Sequence, residues 1–162
     1  MDQLYIVRAQ LLHAIGYVPG AVFYVWRGTT TVDAARALEQ TVRIAAARSD
    51  GAGVLLGVVD TGAPPPEPDV RKALADSLAA GAGFVRASAL VFEGEGFRAS
   101  MVRAVATGLS MLARLPYPHE SFSSVSAAAK WLERFHDDSG AVICSAAALE
   151  AHMHALRTAP HR

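Results

Sequence analysis

A single cysteine in 162 residues, Cys144, leaves no internal disulfide framework and no cysteine-based structural zinc site. No apolar run reaches the roughly eighteen residues of a membrane-spanning helix, so integral membrane association is not expected. Neither sign of charge predominates. Fifteen basic side chains balance fifteen acidic ones, which argues against a general nucleic-acid binder or a polybasic membrane anchor. Lysine is scarce, two against thirteen arginines, and about a fifth of the chain is alanine; that usage points to a GC-rich bacterial genome. The start, Met1-Asp2-Gln3-Leu4, lacks the basic and apolar regions of a signal peptide, so a cytoplasmic location is expected. There is no G-x-S-x-G elbow, no H-E-x-x-H and no Cys/His ligand spacing. His152 and His154 would sit about 200° apart on a helix and cannot share a metal. No metal, cofactor or enzymatic activity is therefore expected. What is present is 52% apolar and 19% charged residues, enough to fill the core of one domain.

The patterns alternate along the chain. Ala21–Trp26 is a β-branched and aromatic run that reads as a strand. Thr30 and Asp33 open a helix whose apolar face is Val32, Ala35, Leu38, Val42 and Ala45, ending at Ser49-Asp50-Gly51. Gly53–Val59 is apolar without alternation, as in a parallel strand buried on both faces. Pro64, Pro65 and Pro66 exclude helix interior, and Pro68 suits the first turn of the next helix, with Val70, Leu74 and Leu78 at steps of four. Ser88–Phe92 is the next strand. A helix over about Phe97–Leu115 follows, with Met101, Val105, Leu109 and Leu112 on one face. Ser121–Val125 reads as a short strand and Ser126 as the cap of a helix carrying Ala128, Trp131, Leu132 and Phe135. Leu4–Tyr17 has no clear type, and Ala141–Leu156 reads as helix. The order predicts an α/β fold with a four- to five-stranded, mostly parallel sheet, crossover helices mostly on one face, and a C-terminal helical extension. Residues 1–138 form the domain and 139–162 a linker and that extension.

Over about Val18 to Phe135 this order and its local sequence resemble the STAS / SpoIIAA-like superfamily. The most specific part is Leu115-Pro116-Tyr117-Pro118-His119-Glu120-Ser121-Phe122, running on through Ser123-Ser124-Val125 to Trp131-Leu132. There a helix ends at proline, a short strand carries Phe, and a small-residue helix closes with Trp-Leu. The resemblance implies a non-catalytic regulatory or protein-interaction module of bacterial signalling, with a protein partner and a homodimer as one expected form. It places a candidate phospho-switch at Thr61, in Asp60-Thr61-Gly62; the bland alternative is a Thr in a strand-to-loop turn.

Three other features bear on chemistry. Gly94-Glu95-Gly96-Phe97-Arg98-Ala99 fits the dinucleotide pattern between a strand and a helix, yet Glu95 stands where pyrophosphate would approach. The alternative is a turn that needs glycine dihedrals. Helix N-termini at the carboxyl ends of parallel strands attract anions. Arg27, Asp60, Thr61, Gly94, Gly96 and Arg98 all follow strands, which makes that edge a candidate site for a small anionic ligand, a nucleotide or a lipid. Phe23, Tyr24 and Trp26 put bulk on both sheet faces, so a face without helix cover would be a partner surface. Cys144, in an apolar context, reads as a buried structural cysteine. A further alternative is an oligomeric scaffold subunit, with Ala141–Leu156 packing on another copy.

Overall fold

Apolar strands without alternation need cover on both faces, and that demand organises the chain. The computed structural model describes residues 2–162. Six strands form one sheet in chain order: β1 (Tyr5–Ala9), β2 (His13–Val18), β3 (Ala21–Trp26), β4 (Gly53–Val59), β5 (Val85–Phe92) and β6 (His119–Phe122). β1, β2 and β3 pair antiparallel, and β3 to β6 pair parallel. Three helices make the parallel crossovers: α1 (Val32–Arg48), α2 (Pro68–Ala79) and α3 (Gly96–Ala113). The strand order never reverses, so crossovers of one hand set all three on one face. There Leu38, Leu74 and Ala106 share a core with Tyr24, Trp26, Leu55 and Leu90. The last helices, α4 (Val125–Leu132) and α5 (Ala146–Thr158), cover the other face, where Leu132, Leu149 and Met153 pack on Phe23, Leu56 and Val91.

The α/β class and the parallel core agree with the expectation, but the sheet has six strands rather than four or five. The additional pair comes from Leu4–Tyr17, whose signal was masked twice. β2 is buried at every position, so it shows no alternation, and β1 is an edge strand with an irregular register between Ile6 and Arg8. The helices are also split, three on one face and two on the other. Both faces of β3 are therefore covered, and the bulk of Phe23, Tyr24 and Trp26 is core rather than an open partner surface. β6 begins at His119, because the Pro118 carbonyl already accepts from the Ser88 N–H at 2.9 Å. The cap of α4 is accordingly Ser124, not Ser126; its hydroxyl accepts from the Ala127 N–H at 3.1 Å.

One close approach holds the first face together. Tyr24 and Gly57 are register partners on β3 and β4, and a Cβ on Gly57 would stand 2.1 Å from the Tyr24 ring. The ring thus lies across the β4 backbone, where only hydrogen fits. Gly57→Ala is expected to cost about 1–3 kcal/mol by overpacking, read by urea unfolding, and much less in a Tyr24→Ala background. Equal costs in both backgrounds would show that the ring is not the constraint.

Candidate functional site

The crossover helices do not cover their face equally. α1 and α2 bury a full apolar stripe, whereas α3 buries only Ala106 completely. Met101, Val102, Val105 and Leu109 of α3 are half-buried and line a cavity between the helix and the sheet. The cavity leaves about 80 Å³ to the centres of water-sized molecules and is open to solvent at its mouth. Tyr24, Trp26, Leu90 and His119 form its floor on the sheet, and Leu74 and Leu78 of α2 form one wall. Its rim is the segment Ala63–Pro66 and Arg98. Prolines suit that rim, since they hold an extended loop at low entropic cost and need no N–H partner.

Arg98 stands in the first turn of α3, and its Nη2 donates to the Ala63 carbonyl at 3.1 Å. The bond fixes the proline loop against the helix and leaves other guanidinium N–H groups free to meet an acidic group. The N-cap position of α3 is Glu95, whose side chain makes no capping bond. The first-turn N–H groups therefore lack a side-chain acceptor at the positive end of the helix.

The floor carries the cavity's polar atoms. His119 Nδ1 lies 2.9 Å from Ser88 Oγ, across the β5–β6 pairing that sets these two residues side by side. His119 Nε2 is buried without a partner. Burial pushes the His119 pKa down to about 4, so the ring is neutral at pH 7. The Tyr24 phenol, also on the floor, has its pKa raised by burial. Tyr117 is raised for the same reason and donates its hydroxyl to the Leu78 carbonyl.

The strand-edge candidates fall into two groups. Arg98 alone lines the cavity. Arg27 follows β3 but is spent on structure, donating to the carbonyls of Gln10 and Arg157 at 2.9 Å each. Asp60 pairs with Arg157 at 3.9 Å, and Arg157 bonds Glu93 at 2.8 Å. Thr61 is exposed in the turn after β4, ahead of the proline run, and α2 begins only at Pro68. Gly94 sits beside it: a Cβ there would meet the Phe92 ring at 2.6 Å and the Thr61 methyl at 3.4 Å. Gly96 has φ +69°, a turn requirement that glycine meets without strain. Cys144 is half-buried, and burial together with Asp2 and Glu133 pushes its thiol up to about 11, so it is no thiolate at neutral pH. Among the described residues, no group of three or more His, Cys, Asp or Glu is placed to hold a metal ion. No helix is long and apolar enough to cross a membrane.

Sequence reasoning missed His119, Ser88 and the cavity itself. The usable signal was a serine inside an otherwise apolar strand; the stripe Met101, Val105, Leu109 is indistinguishable from core until the cavity is seen. No family model, curated protein or solved structure matches the chain.

The His119 environment makes stability pH-dependent. Its folded pKa lies below the unfolded value near 6.5, so the unfolded chain binds the extra proton between the two. Stability is therefore full above about pH 6.5 and falls as pH drops toward 4. His13 and His152, also lowered by burial, act in the same sense. Of the loss between pH 7 and pH 4.5, His119 should carry roughly 2–3 kcal/mol. Urea unfolding of His119→Gln at both values should show a shallower fall; an unchanged fall would mean that the ring is not held neutral.

Proposed function

We propose that this chain is a binding module for a small amphiphilic acid, its apolar body in the cavity under α3 and its acidic group at Arg98. One observation carries the reading: the cavity walls are apolar, and Arg98 at the rim is their one cationic side chain among the described residues. Removal of apolar ligand surface from water, at about 25 cal/mol per Å², supplies the affinity. The arginine and the uncapped N-terminus of α3 supply the orientation. Glu95 and Glu67, both exposed near this rim, favour an acid of low charge, a carboxylate rather than a pyrophosphate. The glycines of the dinucleotide-like motif serve the turn and Phe92, which also disfavours a nucleotide.

The regulatory role implied by the STAS-like resemblance joins this reading through α3. The helix that walls the cavity also exposes Phe97, Met111 and Leu112. An occupant that shifts α3 changes the surface that a protein partner meets, so occupancy is what such a module would report.

The two tryptophans allow a direct test. Trp26 lines the cavity, whereas Trp131 packs with Phe122 and Phe135 on the other face. In a Trp131→Phe protein, decanoate should change Trp26 fluorescence saturably, and decylamine should bind far more weakly. Arg98→Ala should weaken decanoate about tenfold, and Val105→Trp, which fills the cavity, should abolish the response. No saturable response, or an affinity indifferent to both substitutions, would overturn the proposal.

A further inference from the structure

We infer that α3 pairs antiparallel with the α3 of a second copy of this chain, about a two-fold axis at Ala104. That copy is the protein partner of the exposed α3 surface described above. The pairing does not depend on the cavity's ligand and its test uses none, so either reading can fail alone. α3 is apolar on both sides. Val102, Ala106 and Leu109 pack inward on the core, while Phe97, Met111 and Leu112 are 80%, 74% and 59% exposed. These are three of the four most exposed large apolar side chains among the described residues, with Leu11 the other. A helix that is apolar all round is normally buried. Its neighbours are built differently: α1 carries five charged side chains and α2 four, whereas α3 has only Arg98 and Arg103 in eighteen residues. α5 does not offer an alternative contact, because its Leu149, Met153 and Leu156 are completely buried within the chain.

A second copy fits this face because the face complements itself. Phe97, Ala104 and Met111 recur every seventh residue and so fall on one line along the helix. Phe97 and Met111 then lie about 10 Å to either side of Ala104. A two-fold axis at Ala104 sets Phe97 of each copy against Met111 and Leu112 of the other, one contact made twice, as in closed dimers. Between these anchors lie Ser100, Ala104 and Gly108, all exposed. A Cβ on Gly108 would meet nothing in its own chain, so no contact within the chain accounts for a glycine that weakens a helix interior. Small side chains at the crossing let two helix axes approach to about 8 Å. Charge fixes the direction. Glu95 precedes the helix and Arg114 ends it; both are exposed, and neither takes part in an ion pair among the described residues. Antiparallel pairing brings Glu95 of each copy to Arg114 of the other and opposes the two helix dipoles, whereas parallel pairing sets like charges side by side. Arg98 and Arg103 lie off the contact line, one bonded to the Ala63 carbonyl and the other beside Ser121 and Phe122 of β6.

One helix pair is a small interface, so a reversible dimer of micromolar affinity is expected. Sedimentation equilibrium of the full chain over a micromolar concentration series should show monomer exchanging with dimer. Ala104→Glu sets two carboxylates together at the axis and should weaken the dimer about a hundredfold. Phe97→Ser changes an exposed position, leaves no hole in the fold, and should weaken it about tenfold. Circular dichroism checks that each variant is folded. Glu95→Arg or Arg114→Glu alone should weaken the dimer several-fold, and the two together should restore it. A monomer at every concentration would overturn the inference. So would a dimer indifferent to Ala104→Glu and Phe97→Ser, or single reversals whose effects are not rescued in the double variant.

Discussion

A parallel sheet must be covered on both faces, and here the cover on one face leaves a cavity. α4 and α5 close fully onto one side, with Leu132, Leu149, Met153 and Leu156 completely buried. On the other side α3 leans on α2 and β6; Ala106, Val102 and Leu109 pack on the core, and Met101 and Val105 line the cavity. That gap is not a packing accident confined to one side chain. Its floor is built from the Tyr24 ring laid across Gly57, and its rim is fastened by the bond from Arg98 to the proline loop. Loss of either element removes the cavity by collapse or by opening, which is why fold and site are the same problem in this chain.

The rest of the carboxyl edge serves the architecture. Arg157 of α5 reaches Asp60 and Glu93, its carbonyl accepts from Arg27, and the C-terminal Arg162 N–H donates to Ala9 at 2.8 Å. These contacts fasten the last helix and the chain end to the strand ends and the N-terminal hairpin. Exposed ion pairs of this kind add little stability singly; their value lies in register. They also explain why several arginines and acids at one edge do not make one site. Only Arg98 is left facing the cavity.

Much of the architecture was legible in local pattern. The bounds of β3 and β4 agree with their apolar runs, and Pro68 opens α2 as its missing N–H allows. The failures have physical causes. A strand buried at every position, β2, carries no period of two, and an edge strand with a shifted register, β1, carries a broken one. The end of β5 marked Arg98 as a strand-edge candidate, and it lies in the first turn of α3 at the cavity. His119 was invisible as a functional candidate because its burial and its bond to Ser88 arise from pairing across 31 positions, not from its neighbours in the chain. Leu112 was assigned to the inner stripe of α3, yet it is 59% exposed, while Leu109 and Ala113 beside it pack on the core.

The most direct measurement is a methyl-resolved NMR titration with decanoate, in which the perturbed methyl groups report where the ligand sits. Binding in the cavity predicts shifts at Met101, Val105, Leu109 and Leu90, with Met111 and Leu112 on the outward side unmoved. Shifts confined to Met111 and Leu112, or none at all, would contradict the account.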